Sequence, residues 1–489
     1  MKSFYSLLFL FIAITGLAQT DREKTAATVD QHDIRAHIGF LSDDLLKGRE
    51  TGTEGNKIAA AYIASILKSY GVQPNPKTGN YYQEVPLEKS TPPNRMTLVV
   101  NGSEYKEKVA VMPQNFSYGG NGVYLGYGLE DDYKNADVNE KLVFIKAGSP
   151  KSDNIQEAFG LRDKKMELAM KAGAAGVIEL VKAGDRTWGY LSNRFGATQI
   201  QLANTEEGAK KLPYLWIRDE FGTYANDLSS KKAITVKCSV SGATSETILS
   251  QNVVGIVEGS DATLKNEYVI YSGHYDHVGI GEADATGDTI YNGARDNAVG
   301  VTTVLSMAEN LSKYPTKRSA LFILFTAEEK GLLGSKHYVE NPIVPLEQMV
   351  YCFNSDNGGY NDTTKATIVG LTRTTAEKAL KDAVSSFGLT AIEDPAPEQG
   401  LFDRSDNVHF ARKGIPAPTF SLGFTAFDAE IMKYYHQAGD EADSLDYDYL
   451  LKFFQSYVMS GRAIGNMSKK PFWVKGDKYE ESGKELYGM

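Results

Sequence analysis

The sequence predicts an α/β protein, a mostly parallel or mixed β-sheet covered by helices on both faces, with a smaller β-rich domain inserted into it. Three observations predict it. From Asn252 onward, short continuous apolar strands alternate with helical patterns, as they do in a sheet buried on both faces. Between Met96 and Ser241 strands dominate instead. At 489 residues the chain exceeds the size at which a single core stops growing, so a second domain is expected.

Composition narrows the function classes. A formal net charge of −10, with no basic stripe, speaks against a grip on nucleic acid, which needs clustered Lys and Arg. The two cysteines, Cys238 and Cys352, do not suggest a disulfide scaffold. Cys352 sits inside the apolar run 349–353 and reads as a buried free thiol.

Taken in order, residues 1–18 read as a secretory signal peptide: Met1-Lys2, an apolar run over 7–14, then the small residues Gly16 and Ala18. That run is short for spanning a bilayer, so an exported protein is expected, periplasmic or extracellular, without a stable membrane anchor. Residues 26–95 form the first part of the main domain. Apolar spacing predicts a helix over 34–46, and Gly48 to Gly55 reads as a loop. Asn56 is placed to cap a second helix that stops at Gly71.

Thr91-Pro92-Pro93 breaks the pattern, and the inserted domain follows over 96–241. Its strands are expected at 96–100, 142–145, 176–181 and 233–240, with one clear helix at 166–172. It does not cluster His with carboxylates. The main domain resumes over 251–466 with strands at 253–257, 268–271, 319–326, 349–353 and 415–421. Helices are expected at 300–311, after Gly331, at 375–387 and at 446–464. Residues 469–489 are charged and sparse in apolar residues, and read as a tail of low order.

Sites in such sheets form at the carboxyl ends of strands. His274, the pair Glu328-Glu329 and Asp356 each follow a predicted strand, and Asp296 and His436 lie in loops beyond. Two imidazoles with three carboxylates fit two divalent ions if one carboxylate is shared, since each ion then has three protein ligands and an open position. Two such ions about 3.5–4 Å apart make a hydrolytic clamp. Asp276, two residues after His274, is expected to orient that ring. His277, His337 and His409 read as structural or surface residues.

The segments 272–277, 293–297, 326–331, 354–356 and 434–436 resemble, in that order, the zinc-binding segments of the M28 family of metallopeptidases. The likeness covers 26–87 and 251–466. Segments 140–144 and 169–176 resemble a protease-associated domain. The resemblance implies a zinc-exopeptidase-like fold and two zinc ions, with other divalent ions admissible. It implies that Asp296 bridges them, that His274 and Asp356 complete one site, that Glu329 and His436 complete the other, and that Glu328 is the general base. Of two adjacent acids only one need face a metal, which leaves its neighbour to take a proton. The Asp296–Asn297 peptide bond is expected to be cis. Tyr435 either donates to the developing oxyanion or packs as an aromatic ring. Asn357 and Asn407 depart from the family pattern and put pocket shape and specificity in question.

The function implied is an aminopeptidase acting on peptides, in keeping with the acid-rich ligand segments. A carboxypeptidase or dipeptidase would need a cationic clamp, for which Arg404 is available. A receptor-like binding protein would be expected to have lost ligands, and here the set is complete. A single-metal cyclase of related fold would not need the full set.

Overall fold

Tyr268–His274, Ser319–Phe325 and Met349–Ser355 are apolar and buried almost end to end, so they can only sit in the middle of a sheet covered on both faces. In the computed structural model, which describes residues 19–112, 114–203 and 212–489, they are the centre of a ten-stranded sheet. The signal-peptide reading falls on residues outside that description. Tyr268–His274 runs parallel to both neighbours, with Val269 opposite Ala320 and Tyr351. The same register sets His274 beside Phe325 and Ser272 beside Asn354, so three strands end at one level. The sheet turns mixed towards its margins, where Thr244–Val257 runs antiparallel to Ser319–Phe325 and Lys365–Val369 antiparallel to Thr419–Leu422.

Alternation along the strands feeds two cores. Val269, Tyr271, Phe322, Leu324 and Phe353 pack on one face against helices Gln31–Leu41, Glu54–Ser69, Gly300–Lys313 and Tyr447–Asn466. Ile270, Leu321, Ile323, Phe325 and Cys352 face the other side, where Tyr338 and Phe410 close over them. Each such side chain contributes about 1.5–3 kcal/mol by leaving water. Both cysteines are free and buried.

Two compact units result, one formed by the chain up to Val85 and again from Ser250, the other by Pro86–Leu249. The second unit has an eight-stranded sheet. Its strands Phe116–Tyr124, Leu142–Lys146, Gly176–Val181 and Tyr214–Arg218 run parallel side by side. It carries more helix than the sequence suggested. The helix expected at 166–172 runs Ile155–Lys171, and Asp185–Gly196 and Thr223–Ser230 join it. Gly189, Asn193 and Gly196 weaken the helical signal of Asp185–Gly196. Tertiary burial of Trp188, Leu191 and Phe195 on one face overrides that propensity.

Three local expectations are corrected. Thr53, not Asn56, caps Glu54–Ser69; the Asn56 carboxamide instead accepts from Gly52 N, one residue ahead of the cap. Helix Gln31–Leu41 ends before residue 46, and a kinked 3-10 segment, Asp44–Arg49, follows with Lys47 and Gly48 at positive φ. Residues 469–489 are ordered: Trp473 is buried and donates to the Gly414 carbonyl, Asp477 takes Arg373 in a bidentate pair, and helix Glu480–Tyr487 ends with Tyr487 bonded to the Met349 carbonyl. A few aromatic residues anchor this segment although its average composition is polar.

Candidate metal centre

The strand ends bring the chemistry together. His274 closes its strand fully buried, with Nδ1 3.1 Å from the Asp276 backbone carbonyl. A proton on Nδ1 satisfies that carbonyl and leaves Nε2 as a lone-pair donor. Nε2 faces Asp296 Oδ1 and Asp356 Oδ1, each 3.3 Å away. The Asp276 carboxylate is therefore not what orients the ring, since its nearer oxygen lies 4.0 Å from Nδ1. It accepts from the backbone N–H groups of Glu328 and Glu329 and from the Thr51 hydroxyl, and so fixes the turn that presents both glutamates. Ala327 in that turn has φ +58°, an uncommon conformation for a residue with a Cβ.

Asp296 occupies a buried loop, and the peptide bond to Asn297 is cis, as expected. Its two oxygens face different partners. Oδ1 meets His274, whereas Oδ2 lies 3.1 Å from His436 Nε2. His436 Nε2 is also 3.3 Å from Glu329 Oε1. Two donor groups follow: His274, Glu328 and Asp356 in one, and His277, Asp296, Glu329 and His436 in the other.

A tetrahedral ion with bonds of about 2.0–2.1 Å spaces its ligand atoms about 3.3–3.4 Å apart. The 3.1–3.3 Å separations among His274, Asp296, Asp356, Glu329 and His436 fit that spacing. Imidazole with carboxylate is a donor set suited to zinc.

Electrostatics give the same picture. Burial opposes charge on His274, but Glu328, Asp356 and Asp296 outweigh it and raise its pKa well above the ordinary range. Burial likewise opposes charge on His436, and Asp296 with Glu329 lift it to about 10. Burial and Asp296 push Glu329 up, yet His277 and His436 bring it down to about 2. The carboxylates favour positive charge in the cluster, and divalent ions would meet the same demand. Burial raises Glu328 well above an ordinary carboxyl, with His274 offsetting only part of it.

Residues 252–459 match the profile of Peptidase family M28. The matched segment is similar to the M28 peptidases and holds every candidate ligand. Among curated relatives, aminopeptidase YwaD of Bacillus subtilis is 28% identical over 62% of this chain and 66% of its own length. The probable leucine aminopeptidase 2 of Aspergillus oryzae is 27% identical over 66% of this chain and 62% of its own. In both cases the match spans less than two thirds of the relative. An aminopeptidase from Aneurinibacillus sp. strain AM-1 has a similar structure, with a TM-score of 0.55 at 24% identity, covering 90% of this chain and 95% of that one. That likeness establishes the fold.

Two residues of this site escape a reading by sequence. His277, expected to be structural or at the surface, is buried in the donor group with Nδ1 2.9 Å from Glu329 Oε1 and Nε2 without a partner among the described residues. Its place in a His-x-x-His spacing after a strand was the available signal. Asp440 accepts from Arg295 N and Asp296 N and pairs with the Arg295 guanidinium at 3.0 Å, so it holds the backbone on which Asp296 is mounted. No local pattern marks it.

Beside the donors lies a cavity walled by Val369, Leu401, Phe424, Phe427 and Ile431. Tyr435 joins this wall and stacks on His436 with ring centres 4.2 Å apart; burial pushes its phenol up, so it stays protonated and able to donate. Arg404 reaches the same cavity. Asn357 and Asn407 do not line it. Asn357 bonds Asn297 and Leu422 N, and Asn407 bonds the carbonyls of Phe402 and Ala417. His337 and His409 lie outside the donor groups. No helix among the described residues is long and apolar enough to cross a membrane.

Proposed function

We propose that this protein is an exported di-zinc aminopeptidase that removes residues from the N-termini of peptides. One observation carries the reading: the two oxygens of Asp296 face separate donor groups, the arrangement a shared carboxylate needs. When bound, divalent ions would polarise the scissile carbonyl and acidify the attacking water. His274 with Asp356, and Glu329 with His436, would hold one ion each. Glu328, adjacent to Glu329 on the turn held by Asp276, takes the proton from the attacking water and returns it to the leaving amine. Tyr435 donates to the carbonyl oxygen as it gains charge. The carboxylates around the cavity favour the substrate's free ammonium group.

The inserted unit is read as a protease-associated domain, on the segments 140–144 and 169–176, and export rests on the 1–18 reading. Arg404 in the cavity wall favours a second reading, a carboxypeptidase, because a guanidinium suits a substrate carboxylate. Peptides with free, acetylated or amidated ends separate the two, with metal content measured on the same sample. The aminopeptidase predicts that acetylation of the N-terminus blocks cleavage while amidation of the C-terminus does not. The reverse pattern would establish the carboxypeptidase.

A further inference from the structure

The inserted unit has its own crevice at the carboxyl ends of its parallel strands. Lys146 ends Leu142–Lys146, Lys182 follows Gly176–Val181, and Asp219 and Phe221 follow Tyr214–Arg218; these residues, with Tyr127, line a cavity of about 180 Å³. Helices Ile155–Lys171 and Asp185–Gly196 cover one face of this sheet, through Ala158, Ala169, Trp188 and Leu191. Thr223–Ser230 covers the other, through Ala225 and Leu228. The cavity thus opens where successive connections change face, the position at which open α/β sheets hold their ligands.

Its charges are unevenly satisfied. Asp219 accepts from Tyr224 N and Ala225 N, at the start of Thr223–Ser230. Asp153 is paired with Lys182 at 2.6 Å. Lys146 makes no direct ion pair among the described residues, although its charge bears on Asp153; its ammonium sits 4.1 Å over the Tyr127 ring. Phe221 stands at the rim with 83% of its surface exposed, the most exposed of the large apolar side chains among the described residues. A cation over one aromatic ring, with a second ring lining the same cavity, suits a carboxylate next to an apolar group.

We propose that this crevice binds the C-terminal end of a peptide, its carboxylate on Lys146 and Lys182 and its last apolar side chain against Tyr127 and Phe221. The test is calorimetric titration of the full chain, carrying Glu328→Gln to prevent turnover, with N-acetyl-Ala-Ala-Leu-Phe as the probe. Binding is expected for the free acid and at least tenfold weaker binding for its amide. Lys146→Met should also weaken the acid at least tenfold, whereas Arg404→Met, in the peptidase cavity, should leave it unchanged. Phe221→Ala, a change at an exposed side chain that folding does not need, should weaken it too. The proposal is overturned if the acid fails to bind at millimolar concentration, if Lys146→Met and Phe221→Ala both bind as the parent does, or if Arg404→Met abolishes binding. An amidated peptide with an internal Glu that binds as well as the acid would overturn the C-terminal assignment.

Discussion

Both units place charge at the carboxyl ends of parallel strands, but the charges differ in kind. In the peptidase unit the ends carry His274, Glu328, Glu329 and Asp356, buried or half-buried and turned towards each other. In the inserted unit they carry Lys146, Lys182 and Asp219, with Lys182 exposed and Asp219 engaged by backbone N–H groups. The sheet geometry fixes where a ligand can sit. The side chains alone decide which ligand it is.

The sharpest way to break this contrast is to remove Asp296, the carboxylate proposed to be shared. Asp296→Ala should lose zinc, and with it all but background peptidase activity, while Glu328→Gln should keep zinc and lose about 10²–10⁴-fold in kcat. Metal analysis alongside turnover checks both. Zinc retained in Asp296→Ala with zinc lost from Glu328→Gln would reverse the two roles.

How much of this was legible in the sequence follows from where each residue acts. His274, Glu328, Glu329 and Asp356 stand directly after apolar strands, so a rule about strand ends finds them. His277 could be seen but not weighted, because its partner Glu329 is 52 residues away. Asp440 was not legible as a positioning residue, since the backbone it holds lies 144 residues earlier. The same limit explains residues 469–489, where Trp473 and Tyr487 find partners on distant elements that composition cannot anticipate. The extent of helix Asp185–Gly196 was hidden because burial overrides the weak propensity of its glycines.

Each unit also contains a buried ion pair between an Arg or Lys and a carboxylate, and these offer the next largest effects. Arg295 and Asp440 lie 3.0 Å apart beside the metal centre. In the inserted unit Lys165 and Glu179 lie 2.6 Å apart, both fully buried, and Glu179 also accepts from Tyr214 and Trp216. Removing one partner strands a buried charge, at a cost of about 3–5 kcal/mol. Asp440→Ala should therefore destabilise the peptidase unit and lower its zinc content. Glu179→Ala should destabilise the inserted unit by a similar amount and leave zinc content alone. Calorimetric unfolding with metal analysis checks this, and loss of zinc in Glu179→Ala would show that the two regions are not separable in this respect.

The smallest effect comes from acid. All seven histidines lie outside Pro86–Leu249, so histidine titration can only touch the peptidase unit. His37 is the clearest case away from the donor groups. It is buried, with Nδ1 2.8 Å from the Tyr62 hydroxyl and Nε2 3.1 Å from that of Tyr70, and burial brings its pKa from 6.5 down to about 4. Because the folded value lies below the unfolded one, the unfolded chain binds the proton first. The neutral ring's contribution is therefore intact above pH 6.5 and is lost as pH falls from 6.5 towards 4, by at most about 3 kcal/mol. In His37→Gln that part of the loss should vanish, seen as a flatter dependence of peptidase-unit stability on pH across this window. The inserted unit should show no such change between the parent and His37→Gln. If the two chains lose stability in parallel over this range, His37 is not the group that titrates.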